Sequence, residues 1–121
     1  MSLEQHAFLE RRNVPSAETW QSAISQLGFD FAIDPGLKPF EDSGFLPCVL
    51  AGETTGFEIY YQPAEDLEDE FPQLSDKVGS RDYAITFRWG SDLSECASAL
   101  IGCAALARSF DALVYDPDND L

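Results

Sequence analysis

The chain's capacity for chemistry lies mainly in its carboxylates. Glu65, Asp66, Glu68, Asp69 and Glu70 fall in one short run, and the stretch between Lys38 and Lys77 holds ten acids and no basic side chain. Glu58 stands just before that run, beside Tyr60 and Tyr61. Carboxylates interleaved with aromatic rings suit recognition of a basic surface, because charge draws the partner in and a ring supplies a short-range anchor. The expected partner-contacting residues are therefore Glu58, Tyr60, Glu65, Asp66, Glu68, Asp69 and Glu70. The plainer reading of the same run is a solvated acidic loop.

Catalysis has less to work with. A nucleophile needs a positioned base titrating near neutrality. The one histidine, His6, lies near the N-terminus with no orienting partner close in sequence, and reads as solvated. Ser91 and Asp92 sit at a helix start, where capping explains them, and Glu95 three residues on completes a capping-box pattern. Carboxylates are too plentiful for any pair to indicate a glycosidase. Nucleophile-elbow, phosphate-loop and dinucleotide motifs are missing. Cys96 and Cys103 are separated by two helical turns, about 10 Å, too far for a shared zinc or a disulfide. Asp116-x-Asp118-x-Asp120 opens like a calcium loop but lacks its later glycine and acid, so it reads as an acidic tail. No cofactor and no metal are expected. Arg88 and Trp89, with Tyr61 or Tyr83, offer an alternative: an anionic small ligand held in a pocket between sheet and helices.

Composition narrows the partners. Twenty-two acids against seven Lys and Arg leave a formal net charge of −15 over 121 residues. Such a field repels nucleic acid and anionic membranes and attracts basic proteins. No apolar run approaches the ~20 residues of a membrane span, and the N-terminus lacks a signal-peptide pattern. Cys48, Cys96 and Cys103 are an odd number in apolar or small-residue settings, which points to free thiols and a cytoplasmic location.

The elements that must position these residues centre on residues 82–115. Tyr83, Ile85, Phe87 and Trp89 alternate with Ala84, Thr86 and Arg88, the period of a strand. A long small-residue helix follows to Arg108, with Leu93, Cys96, Leu100, Ala104 and Ala107 able to line one face and Ala97, Ile101 and Arg108 beside them, and then a short strand through Leu113 and Tyr115. Apolar nearly all round, that helix is expected to be covered on more than one side, which leaves a homodimer or a homo-oligomeric structural subunit as a further reading. Upstream, Ser16 caps a helix that carries Trp20 and Ile24 and stops at Gly28. A strand over 29–33 and a hairpin over 45–62 come next. Residues 1–14 read as an N-terminal arm or short helix, and 64–80 as an acidic excursion. We therefore expect a single α+β domain spanning 1–121. One mixed sheet of about five strands, mostly antiparallel, carries two main helices and ends in a strand–helix–strand crossover.

Small size, acidity, the turn RWGSD at 88–92 and the alanine-rich helix leading into ALVYDPDND together resemble the bacterial immunity proteins of toxin–immunity pairs. None of these features is a diagnostic motif, so no functional residue is carried over. The resemblance implies a non-catalytic inhibitor that holds a basic toxin, often a nuclease, by complementary charge.

Overall fold

The computed structural model describes residues 3–117. Its elements in chain order are β1 (Leu3–Leu9), a 3-10 turn (Arg11–Asn13), α1 (Ala17–Gln26), β2 (Phe31–Ile33), β3 (Gly44–Leu50), β4 (Glu53–Pro63), α2 (Ala64–Glu70), a second 3-10 turn (Pro72–Leu74), α3 (Ser75–Val78), β5 (Tyr83–Trp89), α4 (Leu93–Ser109) and β6 (Leu113–Tyr115). The six strands form one sheet in the order β2-β3-β4-β5-β1-β6.

Local signals place the helices. The Ser16 hydroxyl accepts from the Thr19 amide at 3.1 Å, and α1 stops at Gly28, whose φ of +88° suits a residue without Cβ. Asp92 accepts from the Ser94 hydroxyl at 2.5 Å and from the Ser94 and Glu95 amides at 2.8 and 3.4 Å, and these bonds, the hydroxyl's foremost, hold its carboxyl below the usual range. The Glu95 carboxylate reaches back to the Gly90 amide at 3.2 Å, two residues before the cap.

The fold is α+β with α1 and α4 on one sheet face, as expected, but the N-terminal segment is neither arm nor helix. Residues 3–9 form β1, which pairs antiparallel with β5 on one side and β6 on the other. Ala7, Phe8 and Leu9 are consecutive, apolar and fully buried, the mark of a strand covered on both faces. β1 separates the two strands of the C-terminal crossover. β5 and β6 still run parallel to each other, yet every neighbouring pair is antiparallel, and the sheet has six strands rather than about five, with no mixed pairing.

The main core lies between the sheet and the two long helices. Trp20 meets Phe87 edge-on at 5.9 Å between ring centroids, and Phe57 meets Phe87 at 5.1 Å. The Trp20 indole donates to the Gly102 carbonyl at 3.2 Å. The packed face of α4 includes Ile101 and not the line of Leu93, Leu100, Ala104 and Ala107. Ser98, Ala99, Ile101, Gly102, Cys103, Ala105 and Leu106 are buried, whereas Leu93 (85% exposed), Leu100, Ala104 and Ala107 face outward. At Gly102 the helix comes closest to the rings, where a Cβ would stand 3.2 Å from both Phe87 and Trp20 and a larger side chain has no room.

The acidic excursion is ordered and helical. Ala64, Leu67, Leu74 and Val78 bury against Phe8, Ala84 and Tyr115 on the second face of the sheet, forming a smaller core. Phe71 rests on the His6 and Tyr115 rings at 5.5 and 5.3 Å. Asp118 and Asp120 lie outside the described residues. Among the described residues no helix is long and apolar enough to cross a membrane.

Candidate functional site

Register places the candidate residues on the second face of the sheet, opposite the main core. Across the strands, Gln62, Ala84, Phe8 and Leu113 form one row, and Tyr60, Thr86, His6 and Tyr115 the next. A third row runs Phe45, Glu58, Arg88, Glu4. α2 and α3 cover the first row, with Phe71 leaning onto the second through His6 and Tyr115. Among the described residues, no helix covers the third row or the sheet beyond it towards the β3–β4 turn.

All seven predicted partner residues therefore reach one side of the molecule. Glu58 and Tyr60 stand half-buried on the uncovered floor, and Glu65, Asp66, Asp69 and Glu70 are exposed on α2 at its margin, with Glu68 half-buried. The Tyr60 hydroxyl donates to the Glu58 carboxylate, and that bond is the main reason its pKa is raised. Arg88 lies in register between Glu58 and Glu4. The two ion pairs among the described residues are elsewhere, Arg12–Glu10 and Arg81–Asp111. Neither carboxylate of the row is thus committed to an internal ion pair within 4 Å.

His6 is not a solvated arm residue. It is 2% exposed, between Thr86 on β5 and Tyr115 on β6. Its Nδ1 lies 2.9 Å from the Thr86 hydroxyl, which also accepts from Gln62 at 3.0 Å. Nε2 has no hydrogen-bond partner among the described residues. Burial lowers the pKa of His6, while Glu70 and Asp116 pull it upward. At 2% exposure and packed against Phe71, His6 is not placed as an exposed general base.

The four residues of the alternative ligand site are not brought together. Arg88 points to the uncovered face, whereas Tyr61, Tyr83 and Trp89 alternate to the helix side. Tyr61 and Tyr83 flank Phe40 at 5.7 and 5.2 Å, and the Arg11 guanidinium stacks over Phe40 at 4.1 Å and Tyr83 at 4.9 Å. Burial raises the pKa of Tyr61. Trp89 is buried with an unpartnered Nε1. All three cysteines are free; Cys48 and Cys103 are buried and Cys96 is half-buried. Burial pushes the Cys48 thiol up to about 12 and the Cys103 thiol upward too, so neither is a reactive thiolate. No group of three or more His, Cys, Asp or Glu among the described residues is placed to hold a metal ion.

Sequence reasoning missed Glu4, which enters the row only because β1 lies beside β5, and it missed the apolar strip of Phe45, Pro47 and Val49 on β3. The strip does have a sequence signal. FLPCV alternates large residues at 45, 47 and 49 with Leu46 and Cys48, and both sets are apolar. Comparison with family models, with curated proteins and with solved structures finds no match.

Proposed function

We propose that this protein is a non-catalytic acidic binding module of immunity type, which sequesters a basic toxin or nuclease in the bacterial cytoplasm by charge complementarity. One arrangement supports the reading above the rest. Glu58 and Tyr60 on β4 and the five acids of α2 are apart in element but share one side of the sheet, beside a floor that no other element among the described residues covers. The shared side is rich in carboxylates and carries the Tyr60 ring, with the exposed Arg88 as the cation in register beside Glu58. Opposite charge speeds association, which matters when a toxin must be neutralised before it acts. An inhibitor of this kind needs no catalytic group of its own, and the sole histidine is sealed from solvent.

The test begins with a pull-down from the native organism's lysate, washed at low and then high salt. The expected capture is one stoichiometric basic protein released by salt, whose enzymatic activity falls when this protein is added in equimolar amount. Replacing Glu65, Asp66, Glu68, Asp69 and Glu70 with lysine should slow association at least tenfold at low salt and flatten its salt dependence. Unchanged association of that variant with the captured partner would remove α2 from the contact surface.

A further inference from the structure

We infer that the uncovered half of the sheet seats an apolar side chain of the basic partner, with cations beside that anchor reaching Glu58 and Glu4. The inference rests on the acidic-binding reading above and states what the partner has to present.

Three observations converge on it. The first is the exposed apolar strip. Phe45 is 59% and Val49 44% exposed, with Pro47 exposed between them and Ala32 exposed opposite Val49 on β2. A sheet face left open to water normally carries polar side chains at its outward positions; here successive outward positions of one strand are Phe, Pro and Val. A groove of about 380 Å³ runs beside the strip, lined by Ala32, Asp34, Pro47, Val49 and Thr54 among others, and leaves room for an aliphatic side chain.

The second observation is that main chain lies behind the strip's largest ring. A Cβ at Gly56 would lie 2.5 Å from the tip of the Phe45 ring and 2.4 Å from the Leu46 carbonyl oxygen. Gly56 stands directly across the ladder from Pro47, and its missing side chain lets the Phe45 ring lie down against the β4 backbone. With one side of the ring against main chain and the rest in water, it offers a partner a large apolar contact.

The third is charge. Phe45 shares its row with Glu58, the exposed Arg88 and Glu4, so two carboxylates face one cation there, and Asp34 lines the adjacent groove. A second copy of this chain would bring a further net charge of −15 onto an acidic face. A partner with Arg or Lys on either side of a Leu, Met or aromatic residue satisfies both halves of the floor at once.

The experiment titrates the isotope-labelled full-length protein with two short peptides of equal positive charge. One has a leucine between arginines and the other a serine in its place. The leucine peptide should bind about tenfold more tightly, with amide shifts at Phe45, Val49 and Glu58. Phe45→Ser, whose side chain is largely in water and whose amide spectrum should stay folded, should abolish that tenfold difference. The lysine-substituted α2 variant should weaken both peptides and keep their ratio. Equal affinity of the two peptides, with shifts confined to α2, would overturn the inference and leave the acidic-binding reading standing. No shift from either peptide at millimolar concentration would overturn both. Concentration-dependent shifts at Phe45 in peptide-free protein, lost in Phe45→Ser, would give the strip to a second copy and also overturn it.

Discussion

His6 shows most sharply how a residue's role depends on where it is put. In solution an imidazole gains a proton near pH 6.5; beneath Phe71, with Nε2 unpaired among the described residues, the charged form is penalised and the folded pKa lies below that value. The sign follows from linkage. Below pH 6.5 the unfolded chain binds a proton that the folded chain resists, so the stability His6 permits is complete above pH 6.5 and is lost as pH falls through and below it. Glu70 and Asp116 reduce this loss without reversing it. Thermal unfolding should therefore show a falling midpoint between about pH 7.5 and about pH 5.5, before the carboxylates titrate. His6→Gln should flatten that slope, whatever it does to the absolute midpoint. A wild-type midpoint that does not fall would mean that an acidic neighbour holds the imidazolium after all.

Among the elements, α4 couples the two packing problems of the fold. It must lie close enough to the sheet for Trp20 to cap it from the side, and Gly102 is where that closeness is decided. A Cβ there would stand 3.2 Å from both the Phe87 and Trp20 rings. Gly102→Ala adds helix propensity and a tight contact together, effects of opposite sign. Gly102→Val adds two further methyl groups where both rings already press, and should cost about 2 kcal/mol through overpacking. Urea unfolding checks it: the midpoint should drop with the slope unchanged. An unchanged midpoint would show that α4 can lift from the sheet at no cost. α2 follows the opposite design. It is short and held chiefly by Ala64 and Leu67, and its remaining positions are given over to charge.

For the whole molecule, the net charge of −15 is a standing cost to folding, since compaction brings like charges together. Screening relieves it, so the unfolding midpoint should rise as salt goes from about 10 mM to about 150 mM, over which the Debye length contracts from about 30 Å to about 8 Å. A basic partner on the α2 side would relieve the same repulsion locally, making binding and stability rise together. A midpoint indifferent to salt would mean that the acids are spaced widely enough to cost nothing, and would weaken the case that their density serves recognition.

Much of this protein was legible along the chain. The Ser16 and Asp92 caps, the stop at Gly28, the alternation of β5 and the hairpin over 45–62 are short-range signals, complete within a few residues, and each is where the sequence puts it. The α+β class follows from them. What only the tertiary structure decided is what depends on distant partners. LEQHAFL has no local feature that separates a strand from an arm; it is a strand because β5 and β6 offer it two unpaired edges. The packed face of α4 was unreadable because the helix is apolar nearly all round, and the rings beneath it leave no room for a larger side chain at Gly102. Glu58 and α2 share a side because β4 feeds directly into α2, which folds back over Phe8 and Ala84 to bury Leu67. Local free energy settles elements, whereas the pairing of distant apolar surfaces settles which faces are closed and which stay open to a partner.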